Sequence, residues 1–188
     1  MATMEATERQ LVLDQLASSE ARLLELVDGL TPQQWNFREK PERWSIAENI
    51  EHVIAFENFI MDVIARVMKD SAEPEKKAYA SAKEPFVLRI ANDRGKKFNA
   101  REVVRPVGRW PDTAEMIAEL RKTRAQTVAY VREVFAAEKE TDLRSHFFAH
   151  VALGDLDCYQ WMLVMAQHGS RHALQIEEIK ADPAYPAK

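Results

Sequence analysis

Apolar residues recur at three- and four-residue intervals in four long stretches, the spacing that gives a helix one buried stripe. The first predicted helix runs from about Thr7 to Val27, with Leu13, Leu16, Leu23 and Val27 on its stripe. Asp28-Gly29 supplies the stop, because glycine tolerates the left-handed cap conformation. Ser45 opens the second, and Glu48 three residues later completes a capping-box signature. Ile46, Ile50, Val53, Phe56, Ile60, Ile64 and Val67 hold the helical period to about Met68, and Pro74 and Pro85 block continuation. The third begins near Asp112, with Glu115 as its capping partner, and carries Ile117, Leu120, Val128, Val131 and Phe135. The fourth begins near Asp155 and passes Trp161, Met165, His168, His172, Ile176 and Ile179 before Pro183. Helices of about 20 to 27 residues span roughly 30 to 40 Å. Four of matched length predict an all-α four-helix bundle.

The connections refine the topology. A modest loop joins the first two helices, whereas about 40 residues lie between the second and third by the boundaries above, an unusual length inside a compact domain. A short loop forces antiparallel neighbours, while a long crossover permits the next helix to run parallel. The expected order is therefore up-down-down-up, in one domain spanning 1–188. Weak strand signals lie within the crossover, at Phe86 to Ile90 and Glu102 to Val104.

Composition narrows the function classes. Five scattered glycines exclude phosphate-cradling loops, which need clustered glycines for close backbone approach. The single cysteine, Cys158, cannot form an internal disulfide or a C-x-x-C redox pair. No apolar run approaches the roughly 20 residues of a membrane span, and the N-terminus lacks the apolar core of a secretory signal. The expectation is a cytoplasmic protein that binds neither membrane nor nucleic acid, the latter because the net charge is −4. That charge is uneven. Residues Ser71 to Trp110 hold ten basic and five acidic side chains, so the crossover is about +5 and the rest about −9 on the same count.

The chemistry rests on histidine. His168 and His172 are four apart in a predicted helix, which puts both rings on one face with Cβ atoms about 5–6 Å apart. They share the stripe of Trp161 and Met165 and so point inward. His52 lies on the second helix beside Phe56 and Phe59 and can face the same interior. Three neutral imidazoles can hold one divalent ion and leave a fourth position open. Inward histidines are also common as hydrogen-bonded core residues. A second such pair, His146 and His150, shows how easily the spacing arises, and these two sit either in a loop or at the start of the fourth helix. Carboxylate di-iron sites are excluded, since Asn49 and Met165 stand where glutamates would be needed. Gly169 after His168 excludes the H-E-x-x-H protease pattern.

The segment from Trp44 to His52 resembles the W-S-x-x-E-x-x-x-H opening of the second helix in the DinB-like superfamily. His168, Arg171, His172, Gln175 and Ile176 match its H-x-x-R-H-x-x-Q-I fourth helix. His150 and Gly154 resemble a His-Pro-x-x-Gly element before that helix, with valine in place of proline. The resemblance implies an up-down-down-up bundle, usually a homodimer, with a zinc or nickel ion on His52, His168 and His172. It sets His146 and His150 apart from the ion. Members of known activity are mostly transferases or isomerases using bacillithiol, mycothiol or glutathione, and many others are regarded as metal-dependent hydrolases.

An ion on three histidines can lower the pKa of bound water toward 7 or hold a thiolate at neutral pH. The expected function is therefore a metal-dependent S-transferase using a low-molecular-weight thiol, or a hydrolase. The alternative is a metal-stabilised bundle with a binding or stress-response role. Gln175 shares the ligand face, and Glu48, one turn before His52, can accept its free ring N–H if the helix cap does not occupy it. Arg171 is expected to point away from the ligand pair as a surface or interface charge. The basic crossover is either a solvated connection or, if it folds over the site, favours an anionic substrate through Lys96, Lys97 and Arg101.

Overall fold

The computed structural model describes residues 6–91, 93, 95, 99–136 and 142–187. Seven helices are present among them: α1 (Ala6–Val27), α2 (Pro32–Asn36), α3 (Ile46–Val67), α4 (Lys77–Ser81), α5 (Glu84–Val87), α6 (Thr113–Ala136) and α7 (Cys158–Lys180). Two short strands, β1 (Phe147–His150) and β2 (Gly154–Asp157), form an antiparallel hairpin pairing His150 with Gly154. Side-chain hydroxyls or carboxylates set the helix starts. Ser45 accepts from the Glu48 N–H while the Glu48 carboxylate accepts from the Ser45 N–H, and Asp157 and Gln160 repeat the arrangement at α7.

The four long helices form the bundle. Contacts between α1 and α7 advance together along both chains. Tyr159 lies over Glu8, Gln167 bonds Gln15 at 2.8 Å, and Lys180 bonds the Leu26 carbonyl at 2.8 Å, so these helices are parallel. Asn49 meets His172 while Phe56 stacks on His168, so α3 and α7 are antiparallel. One apolar cluster joins Val12, Ile64, Val131 and Met162, and the other joins Val27, Ile46, Met116 and Ile176. With α1 and α7 running one way and α3 and α6 the other, the order is up-down-down-up.

A buried polar layer separates the two clusters. Arg124 on α6 bonds the Leu16 carbonyl at 2.8 Å and Ser19 Oγ at 3.0 Å, and its Nη2 lies 2.9 Å from Glu57 Oε2 on α3. Both charged side chains are almost wholly buried. Burial pushes the Glu57 carboxyl up, and Arg124 opposes that. Gly169 on α7 faces Ser19 and Arg124, where a Cβ would meet atoms at 3.4–3.5 Å.

Three expectations change. The fourth helix starts at Cys158 rather than near Asp155, because residues 154–157 pair with 147–150 as a strand. The strand signals of the crossover fall on α5 and on a 3-10 turn at Glu102–Val104. His146 and His150 lie at the hairpin, not on a helix. Among the described residues, no helix is long and apolar enough to cross a membrane.

Candidate metal centre

Helices α3 and α7 bring the three predicted ligands together from positions 116 residues apart. His168 Nε2 lies 3.1 Å from His52 Nε2 and 3.2 Å from His172 Nε2. One ligand nitrogen from each residue fits within a 4.8 Å cluster. His52 and His172 are buried and His168 is partly so. The Phe56 ring stacks on His168 at 3.8 Å between centroids, and Trp44 lies 4.8 Å from His52 and 6.3 Å from His172.

The other ring nitrogens fix the tautomers. His52 Nδ1 lies 2.7 Å from the Val104 carbonyl oxygen, and His172 Nδ1 lies 2.8 Å from Asn49 Oδ1. Both partners are acceptors, since the Asn49 amide nitrogen donates to the Ser45 carbonyl. Each Nδ1 therefore carries the ring proton, and each Nε2 presents a bare lone pair to His168 Nε2. A neutral His168 has one proton to offer and can satisfy only one of them. A cation satisfies all three. Tetrahedral nitrogen ligands about 2.0–2.1 Å from zinc lie roughly 3.3 Å apart, close to the two spacings seen here. The residues therefore fit a divalent metal ion.

Electrostatics agree. Burial pushes His168 well below its usual value, with the neighbouring His172 and His52 adding to it. His52 is lowered by burial against the opposing bond to Val104. Neutral imidazoles are the metal-binding form.

Residues from the crossover and α3 complete the centre. Glu51, buried beside His52, accepts from the Val107 N–H at 2.8 Å, the Gly108 N–H at 2.9 Å, the Arg109 N–H at 3.3 Å and Arg109 Nη1 at 2.8 Å. Burial alone would raise its pKa, but these donors outweigh it and hold the carboxyl below the usual range. Glu51 thus anchors the strap that carries the Val104 carbonyl to His52. Arg171, expected as a surface or interface charge, is buried. It donates to the Ile90 carbonyl at 3.2 Å and the Asp93 carbonyl at 2.6 Å, tying the crossover to α7.

The two other candidates fare differently. Glu48 is engaged at the helix cap, 2.8 Å from the Ser45 N–H, and by Arg38 at 2.6 Å, so the proton of His52 goes to Val104 instead. Gln175 Oε1 is buried and has no hydrogen-bond partner among the described residues. Asn49, Glu51 and Val104 escaped the sequence reading. The first two are polar residues at buried positions flanking His52, which is a usable signal, while a backbone carbonyl leaves none. Lys96 and Lys97 lie outside the described residues. Cys158 is buried in the core, and its thiol is pushed up to about 12 by burial, which suits packing rather than nucleophilic attack.

The model of the DinB superfamily matches residues 15–176. The chain belongs to the DinB superfamily. A curated relative, the uncharacterized protein YuaE of Bacillus subtilis (strain 168), is 28% identical over 152 residues, covering 81% of this chain and 86% of YuaE. Among solved structures, YfiT from Bacillus subtilis superposes with a TM-score of 0.59 at 12% identity, over 99% of this chain and 93% of that one. YfiT is described as a probable metal-dependent hydrolase with an unusual four-helix bundle topology. At that identity the likeness supports the bundle, and the metal centre of the DinB-superfamily chain rests on its own three histidines.

Proposed function

We propose that this DinB-superfamily protein is a metal-dependent enzyme that holds one divalent ion, zinc or nickel, on His52, His168 and His172. The observation that carries the reading is the set of tautomers: with Nδ1 of His52 and His172 committed to oxygen acceptors, bare Nε2 lone pairs crowd to about 3 Å. Carbonyl and amide partners of this kind fix ligand orientation in metal sites. Three protein ligands leave a coordination position for a substrate atom or water. A bound ion would there act as a Lewis acid and favour the deprotonated form of a small thiol or water. Of the two chemistries, thiol transfer suits the centre better. Among the described residues, the carboxylates beside His52 on its helix, Glu48 and Glu51, are both engaged elsewhere and not free to act as a base. A thiol on a soft-accepting ion needs no such base.

The test has two stages. Metal content per chain in tag-free protein should be near one in the wild type and near zero in His168→Ala and His52→Ala. Loaded protein is then offered electrophiles with a panel of low-molecular-weight thiols, and ester and amide substrates without thiol. Thiol-dependent turnover supports the transferase. Turnover of the esters or amides alone replaces it with a hydrolase, and bound metal with no turnover of either kind favours the non-catalytic bundle. Metal-free wild type whose stability ignores chelators would sink the reading.

A further inference from the structure

The seam between α3 and α7 that carries the three histidines continues two helical turns toward the hairpin. Phe59 lies seven residues after His52, and Trp161 lies seven before His168, so each shares its ligand's face about 10 Å along the helix axis. Two polar groups cover these aromatics. The His150 ring, at the end of β1, lies 5.3 Å from Trp161, and the Arg101 guanidinium of the crossover lies 5.9 Å from the Phe59 ring. The hairpin is itself fixed there, with Phe148 stacked on Trp161 at 4.2 Å and its carbonyl accepting from the indole N–H at 3.0 Å.

Both groups have donors to offer. His150 Nδ1 accepts the Ala152 N–H at 3.1 Å, which places the ring proton on Nε2. Neither that N–H nor the Arg101 guanidinium has a hydrogen-bond or ion-pair partner among the described residues. Three other cations of the crossover are committed elsewhere: Lys76 is paired with Glu73 and Asp155, Lys83 with the Asp155 carbonyl, and Arg109 with Glu51. The two groups also feel each other. His150 is held neutral, its pKa brought down to about 4 by burial with help from the charge of Arg101. One cation and one neutral N–H donor match a monoanionic oxyanion better than a phosphate dianion, which would call for more positive charge. The aromatic walls between this pair and the histidines suit an apolar spacer.

We propose that Arg101 and His150 bind the carboxylate of a substrate or co-substrate thiol whose other end reaches the three-histidine centre. This rests on the metal reading only for the position of that other end. Two measurements test it. Cobalt(II)-loaded protein is titrated with ω-mercaptocarboxylates of two to six carbons and with the matching ω-mercaptoalcohols, followed by the visible cobalt spectrum. At the favoured length the acid should bind about ten-fold tighter than the alcohol, the gain expected of a charge-assisted contact. In Arg101→Gln and in His150→Gln the two should come within two-fold, with the alcohol unchanged. Equal affinities in the wild type, or a preference that survives both substitutions, overturns the pair. The second measurement needs no ion: hexanoate, with 1-hexanol as control, should shift the His150 ring resonances of metal-free protein. No shift overturns the pair, whereas a shift in protein that takes up no cobalt keeps it and removes the metal centre.

Discussion

Replacing Glu51 by glutamine separates the strap from the helix without touching a ligand. The carboxylate takes three short hydrogen bonds, from Val107, Gly108 and Arg109 Nη1, and a longer one from the Arg109 N–H. Hydrogen bonds to a charged group are each worth about 1.5–3 kcal/mol. Glutamine can keep the oxygen that takes three of these bonds, but it turns an NH2 toward the Gly108 N–H and strips the charge from the other three, together about 3 kcal/mol in strap docking. The loss is local, because this segment can lift while the bundle stays folded. Amides of residues 103–109 should therefore exchange on the order of 100-fold faster by mass spectrometry, at about 1.4 kcal/mol per ten-fold. As the strap lifts, His52 Nδ1 loses the Val104 carbonyl, and metal affinity should fall about ten-fold, the lower end for such orienting partners. Competition against a chromogenic chelator measures it. Faster exchange with unchanged affinity would refute the link from Glu51 to His52. If exchange and affinity both stay within two-fold, the anchoring role fails altogether.

Other substitutions probe the same architecture. Asn49→Leu removes the acceptor of the His172 Nδ1 proton, and chelator competition should show metal affinity down by about ten-fold or more. Arg124→Met strands Glu57 in the core and should cost about 3–5 kcal/mol in urea unfolding, whereas an unchanged midpoint would show the pair to be unimportant. Gly169→Ala places its Cβ at ordinary contact distance from Ser19 and Arg124, so the helix gain of up to about 1 kcal/mol should leave the protein equally or more stable. His150, held near 4 when folded against roughly 6.5 unfolded, binds fewer protons in the native state between those values. Stability is then complete above about pH 6.5 and declines toward pH 4. His150→Gln should flatten the fall in Tm between pH 7 and 5 by the equivalent of about 1 kcal/mol after screening of a half-buried ring, and an unaltered slope would contradict the placement.

The features that were legible in the sequence are those decided within a few residues. Ser45 with Glu48 announces the start of α3, and the recurrence of Ile46, Ile50 and Val53 announces its buried face. The four-residue spacing of His168 and His172 likewise depends only on helix geometry. The beginning of α7 was misplaced because Gly154–Asp157 takes its conformation from pairing with Phe147–His150, a partner no helical period reveals. Glu51 was invisible as an anchor because it bonds backbone N–H groups more than fifty residues away. Arg171 reads as a surface or interface charge because the crossover that covers it at Ile90 and Asp93 follows a path the sequence does not announce.

The polar layer has a consequence for the histidines that it does not touch. Ser19, Glu57, Arg124 and Gly169 come from all four long helices and meet at one level. Sliding α3 by one turn, about 5.4 Å, would part Glu57 from Arg124 and leave each charge alone in a dry core. Gly169 follows His168 directly, and Glu57 lies little more than a turn beyond His52. The layer is thus a datum plane from which the heights of both ligand-bearing helices are measured. Three nitrogens can meet at one point because axial play between α3 and α7 is removed elsewhere, by a charge pair on the far side of α3.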